Sequence, residues 1–292
     1  MKRGYADTPE GQIHYYTHGR GEPLLLLHET PRSARSFAPI MRLLGGRFRC
    51  FAVDTLGFGG SDPLPAKATM EDLARNMIHF LDGRKIKRAH VLGFHTGNKI
   101  AAAMAAGFAD RVGKAVLVGM THSLVISRKQ RDAAILDIVR KYMTAYRESP
   151  DGGHLVRAWA ADYGSLAGIW WDPAVMTGRR ITDGALRRQE SRMIEMIQCR
   201  RSIKQIYAMN FGFDLAATLR RIKVPTLVVE CCVPEEAHLG AQGPKMIKLL
   251  KRGELVTLKG AGFDATDVRA ADIARATSRF LLKGRTANQR RQ

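Results

Sequence analysis

Val91-Leu92-Gly93-Phe94-His95-Thr96-Gly97 joins an apolar run to a helix of small residues. Residues 89–92 are apolar enough for a buried strand, and residues 98–108 (NKIAAAMAAGF) read as an alanine-rich helix able to pack closely on a sheet. Glycines at 93 and 97 suit a sharp strand-to-helix turn, which brings the two backbones so close that a Cβ has no room. The pattern is that of a nucleophile elbow, G-x-S-x-G, with His95 where the serine would stand. An elbow aims its central side chain into a cavity, so His95 is the first candidate for chemistry. An ordinary seryl-ester intermediate is not expected.

Outward from this turn, the chain alternates strands and helices. Residues 13–18 (IHYYTH) are β-rich, 24–27 form a fully apolar strand, 36–44 an amphipathic segment and 48–53 a further strand. Residues 70–81 have helical periodicity, with Thr69 as N-cap and Asp72 in the first turn. A buried strand follows at 115–118. Strands that are apolar on both faces and alternate with helices imply an α/β class, a mostly parallel, doubly wound sheet covered on both sides. The alternation stops near residue 120. From there to about 214 the chain is charged, aromatic and helix-like, and then a strand at 224–230, a helix at 244–250, a strand at 254–258 and an amphipathic helix at 267–282 restore it. The expected organisation is a core of residues 1–119 and 216–283, an inserted helical cap of residues 120–215 that acts as a lid, and a basic flexible tail, 284–292.

Bulk properties narrow the class. The chain has 292 residues, 45% of them hydrophobic, which suits one large α/β unit with an insertion. No run of about 18 apolar residues exists to span a membrane, and the segment MKRGYADTPEG lacks the apolar stretch of a secretory signal. Four cysteines, Cys50, Cys199, Cys231 and Cys232, have neither the density nor the spacing of a disulfide framework or zinc site. A reduced, cytoplasmic protein is expected, a monomer or homodimer. The net charge is +20, divided as +7 over residues 1–119, +5 over 120–215 and +8 over 216–292. Such an even division argues against specific nucleic-acid binding, which concentrates cations on one face. The excess still favours approach of anionic small molecules.

Four motifs in order carry a resemblance. Leu24-Leu25-Leu26-Leu27-His28-Glu29-Thr30-Pro31 is similar to a strand ending in H-G-x-P. Asp54-Thr55-Leu56-Gly57-Phe58-Gly59-Gly60-Ser61-Asp62 is similar to D-x-x-G-x-G-x-S-D. The elbow is third, and Gly260-Ala261-Gly262-Phe263 is similar to G-A-G-H. Together, over nearly the whole chain, they resemble the α/β-hydrolase superfamily, in particular its capped branch of epoxide hydrolases, haloalkane dehalogenases and carbon–carbon bond hydrolases. The resemblance implies an enzyme of that fold with a degenerate catalytic triad. His95 occupies the nucleophile position and Phe263, unable to move a proton, the base position. The stretch Glu230-Cys231-Cys232-Val233-Pro234-Glu235 stands where the acid would be, with no aspartate at the aligned place.

An oxyanion hole needs only backbone N–H groups, and the resemblance assigns them to Thr30 and Thr96. Glu29 replaces a glycine, so a positive φ at that place would strain the hole. His95 can act as acid or base because imidazole titrates near neutrality. His28 is a further catalytic candidate, although the corresponding family histidine often holds the loop by hydrogen bonds. Asp54 reads as a loop stabiliser. Glu29, Phe94, His122, Glu230, Trp159 and Phe263 are candidate substrate contacts, with Trp159 equally suited to packing within the lid. No metal site and no cofactor are expected. Two functions remain open: a non-serine enzyme acting on a small carbonyl or ester-like molecule, and a pseudo-enzyme that binds a small molecule without turnover. A nucleic-acid binder ranks third.

Overall fold

A computed structural model describes residues 1–119, 149–154, 183–231, 241–261 and 265–284. Eight strands form one sheet: β1 (Lys2–Thr8), β2 (Gly11–His18), β3 (Glu22–Leu27), β4 (Phe48–Val53), β5 (Ala89–Phe94), β6 (Val112–Val118), β7 (Thr226–Cys231) and β8 (Gly253–Leu258). Their order is β1-β2-β4-β3-β5-β6-β7-β8. β3 to β8 are parallel, and β2 joins β4 antiparallel with β1 hairpinned onto it. This is the mostly parallel α/β architecture expected from the strand pattern. The strand β1 carries no apolar signal; in KRGYADT only Ala6 is buried, and β2 is the one strand it pairs with.

Described helices are α1 (Ala38–Leu44), α2 (Met70–Gly83), α3 (Thr96–Gly107), α4 (Asp183–Gly212), α5 (Leu215–Arg221), α6 (Gly243–Leu249), a short α7 (Ala265–Val268) and α8 (Ala270–Leu281). Alternate residues of β3 face opposite layers. Leu25 and Leu27 pack with residues of α2, α3 and α5, whereas Leu24 and Leu26 pack with residues of α1 and α8. A strand buried on both faces must be apolar at every position, which is why residues 24–27 read as an unbroken leucine run. At the start of α2, Thr69 and Asp72 exchange hydrogen bonds in a capping box that satisfies two orphan backbone donors.

The sheet order reverses between β3 and β5, where connections leave toward opposite edges. In open α/β sheets, ligands bind outside the carboxyl ends of the strands at such a switch point. α4 lies across this end. Its buried stripe Met196, Cys199, Ile203 and Ile206 joins the core cluster under α2 and α3. Lys99 Nζ on α3 donates to Asn210 O at 2.6 Å, and Gln205 Nε2 donates to Pro65 O at 2.6 Å. No helix among the described residues is long and apolar enough to cross a membrane.

Candidate active site

The 93–97 turn forms as its glycines demand. A Cβ at Gly93 would overlap the carbonyl oxygen of Gly97, and one at Gly97 would overlap that of Leu27. The start of α3 therefore rests directly on the end of β3. His95, between them, has φ 46° and ψ −105°, outside the regions open to L-residues without strain. Its amide donates to Val118 O at 3.0 Å, its carbonyl accepts from Asn98 N at 3.1 Å, and Asn98 Nδ2 donates to Gly119 O at 2.6 Å. These bonds pin the turn to the end of β6. The His95 ring is 6% exposed and packs edge-on to Phe94, with ring centroids 4.4 Å apart. A side chain at Gly119 would collide with it, its Cβ 2.9 Å from His95 Nε2. Phe94, expected to contact substrate, is fully buried in the core beneath α1 and α8, so its role is to wall the imidazole.

Across the switch point, the loop after β3 carries Thr30, the other backbone donor expected from the sequence. Neither the Thr30 amide nor the Thr96 amide has an acceptor among the described residues, and the buried Thr30 Oγ1 has no hydrogen-bond partner there. Thr96 opens α3, and the first amides of a helix have no intrahelical acceptor. The strain expected at Glu29 does not arise. Positive φ among described non-glycine residues occurs only at Lys85 and His95.

His28 is held at both ring nitrogens. Nδ1 lies 2.8 Å from Glu29 O, which can only accept, so Nδ1 carries the proton; Nε2 then accepts from Thr55 N at 3.2 Å. Burial pushes the His28 pKa down, partly offset by Asp54, and a neutral ring suits both bonds. His28 ties the β3 loop to the β4 loop, a placement that leaves no ring nitrogen for proton transfer. Asp54 does similar work. It accepts from His14 Nδ1 at 2.7 Å, Ala34 N at 2.7 Å and Gly60 N at 2.9 Å. Burial opposes its charge, but these donors and the His28 ring outweigh that and hold its pKa below the usual carboxylate range.

A buried charge network adjoins the Thr30 loop, and no sequence pattern pointed to it. Arg32 Nε donates to Glu195 Oε2 at 2.5 Å, Ser33 Oγ donates to Glu195 Oε1 at 2.6 Å, and Arg32 Nη1 lies 3.5 Å from Asp267 Oδ2. Glu29 sits beside them, Oε2 accepting from Ser36 Oγ at 3.2 Å and Oε1 3.9 Å from Arg32 Nη1. Burial pushes the Glu29 pKa up to about 7, against the pull of the Arg32 guanidinium. Burial also works against the Arg32 charge, yet Glu29 and Glu195 outweigh it and hold Arg32 above its ordinary value. Arg32 and Glu195 are 163 residues apart, so only the packing of α4 on the β3 loop creates the pair. The Glu29 carboxylate, expected to touch substrate, is occupied with this network.

Glu230 is also placed differently from a substrate contact. Its Oε1 accepts from Gln242 N at 2.7 Å and Gly243 N at 2.9 Å, so the carboxylate caps the start of α6. His122, Trp159 and Phe263 lie outside the described residues, as do Cys232 and Glu235. Among the described residues no group of three His, Cys, Asp or Glu side chains is arranged to hold a metal ion.

Comparison with known proteins agrees with this fold. Residues 22–166 match the family model described as the alpha/beta hydrolase fold. Haloalkane dehalogenase 2 of Mycobacterium tuberculosis is 37% identical over 116 residues, 39% of this chain and 40% of that protein. The 2-hydroxy-6-oxononadienedioate/2-hydroxy-6-oxononatrienedioate hydrolase of Paraburkholderia xenovorans is 34% identical over 116 residues, 38% of this chain and 40% of the hydrolase. The chain thus matches about 40% of the length of these curated relatives. Solved structures match over almost the full length. The enol-lactonase from Burkholderia xenovorans has a TM-score of 0.70 at 21% identity, covering 96% of this chain and 100% of its own. An epoxide hydrolase from Vigna radiata has a TM-score of 0.70 at 13% identity, covering 97% and 98%.

Proposed function

The chain is a member of the α/β-hydrolase superfamily, and from that premise we propose that it is an enzyme acting on a small carbonyl or ester-like molecule without a seryl nucleophile. His95 serves as the acid/base, and the amides of Thr30 and Thr96 donate to the developing oxyanion. The observation that carries this reading is the conformation of His95. A histidine held at φ 46° and ψ −105° costs about 1–3 kcal/mol, and such strain persists where the surrounding structure presents a side chain for use. A serine lost without replacement of function leaves no reason to keep that strain.

The chemistry follows from the parts. A substrate carbonyl oxygen directed at the Thr30 and Thr96 amides is polarised, because the two N–H dipoles favour the charge that forms as the carbonyl is attacked or enolised. An imidazole at the apex of the elbow takes a proton from water or from the substrate carbon, and returns it to the leaving group. No covalent enzyme ester is required. The names of the matched relatives, a dehalogenase and a hydrolase of oxo-dioic acids, support a small organic substrate, and the basic surface favours an anionic one. Residues 120–215 act as the cap in this reading. Within that segment α4 spans the loops at the carboxyl edge.

The second reading, a binder without turnover, draws support from Phe263, which replaces the base with a group unable to carry a proton. One substitution separates the two. His95→Gln keeps the size and hydrogen-bonding capacity of the side chain but not its titration. Wild-type protein assayed on p-nitrophenyl esters, enol lactones and vinylogous diketo acids is expected to turn over at least one, and His95→Gln to lower kcat by about 10²–10⁴-fold with a smaller change in KM. Unchanged kcat in the variant refutes the assignment of His95. Binding of panel compounds that are all recovered intact favours the second reading.

A further inference from the structure

At the opposite end of the sheet, a cavity of about 470 Å³ opens among the amino ends of β3, β5, β6, β7 and β8 and the carboxyl end of α8. Arg88, Lys114, Arg252 and Lys283 line it, together with Glu22 and His90. We propose that this cavity binds a compact, multiply charged anion of the phosphate-ester or polyphosphate class, at a site separate from the elbow.

The cations are built in rather than scattered. Lys114 Nζ donates to the carbonyls of Phe280 and Leu281, each at 3.1 Å, and of Lys283 at 2.9 Å, the last carbonyls around the end of α8. Those bonds fix an ammonium at the cavity wall and favour its charge through the negative end of the helix dipole. Arg88 enters from the strand beside it, with one guanidinium nitrogen on Val112 O at 3.3 Å. The Arg252 side chain makes no hydrogen bond or ion pair among the described residues, and only its backbone carbonyl is engaged, by Thr226 N at 2.9 Å.

The two carboxylates at hand are already engaged. His90 Nδ1 accepts from Lys114 N at 3.0 Å, so its proton is on Nε2 and is donated to Glu22 Oε2 at 2.8 Å. Glu254 pairs with Lys283 Nζ. Positive charge therefore remains in excess, and its effect on the neighbouring groups is visible. Burial, with Lys114 and Arg88 nearby, pushes the His90 pKa down to about 4. Lys114 is held below its ordinary value by burial and by Lys283 and Arg252, against the opposing pull of Glu254. An anion in the cavity relieves this mutual repulsion, which gives binding a favourable term beyond the contacts themselves.

The shape selects the ligand. About 470 Å³ lies in the range of small-molecule sites, and the cations converge on a concavity that a nucleic-acid duplex cannot enter. An adjoining groove of about 850 Å³ shares Lys283 and adds Arg47, Arg275 and Arg279, so the field that draws an anion inward extends along α8.

Inorganic tripolyphosphate, titrated calorimetrically into the full chain in about 150 mM salt, is the test. The expected result is one saturable site with a roughly micromolar Kd. Arg88→Gln/Arg252→Gln should weaken it by about tenfold or more, on the scale of one lost ion pair, while Arg75→Gln on the outer face of α2 leaves it unchanged. Arg252→Gln alone removes no internal bond and should weaken binding even if the double variant fails to fold. The proposal is overturned by the absence of saturable binding, by wild-type affinity in Arg252→Gln, or by a labelled oligonucleotide duplex that binds more tightly than tripolyphosphate.

Discussion

His95 and Glu29 are the two positions where this chain puts an ionisable side chain in a place that reads as small or hydroxylic in the resembled motifs, and both are buried. Their surroundings differ. His95 is aimed by a strained backbone, whereas Glu29 lies in a relaxed loop and is perturbed by burial beside Arg32 and Glu195. A carboxyl group with a pKa of about 7 in the folded chain against 4.5 unfolded binds its proton more tightly when folded. Stability therefore falls as pH rises from about 4.5 to about 7, and the loss is complete above that. Glu29→Gln removes the cost of the buried charge while its amide oxygen still accepts from Ser36 Oγ. Urea unfolding should show the variant more stable than wild type by roughly 1–3 kcal/mol at pH 8, with the gain fading toward pH 4.5. An equal difference at both pH values contradicts a raised Glu29 pKa.

At the scale of elements, periodicity located most helices and strands to within a turn because one pattern of burial decided each. The strand expected at 48–53 is β4 itself, and the helix expected at 70–81 runs two residues further, to Gly83. β1 was invisible, since an edge strand paired on one side need bury little. Glu230 shows the same divide at a functional position. Its place at a strand end suggested a pocket, but only the arrival of α6 at that strand makes it a helix cap. Glu230→Ala should lower stability by about 1–2 kcal/mol, the usual cost of a lost N-cap, with KM unchanged for whichever panel substrate is turned over. A raised KM at unaltered stability would return Glu230 to the pocket.

For the whole molecule, the proposed mechanism without a seryl nucleophile has a direct readout. No serine stands at the elbow and no histidine follows Gly262, so no activated hydroxyl is expected to attack a fluorophosphonate probe and displace its fluoride. Intact mass measurement after prolonged incubation should show unmodified protein. Stoichiometric labelling at any serine, including Ser33 or Ser36 near the Thr30 loop, would reveal a relocated nucleophile.

Fold class and the position of the elbow were determined by sequence alone, because both rest on local rules. Apolar runs mark buried strands, small residues mark close packing, and glycines at 93 and 97 mark a turn without room for a Cβ. Three other features belong to the tertiary structure. His28 is a catalytic candidate by sequence and Asp54 a loop stabiliser, yet only the fold supplies their partners Thr55, His14 and Ala34 from separate elements, which commit both to holding loops. Arg32 meets Glu195 across 163 residues. The charge, evenly divided along the chain, gathers in part around one cavity, where Arg88 and Lys114 from residues 1–119 meet Arg252 and Lys283 from residues 216–292. A linear sequence records which groups are present, but interactions between charges depend on distance and on burial, and both are set only when the sheet brings remote residues together.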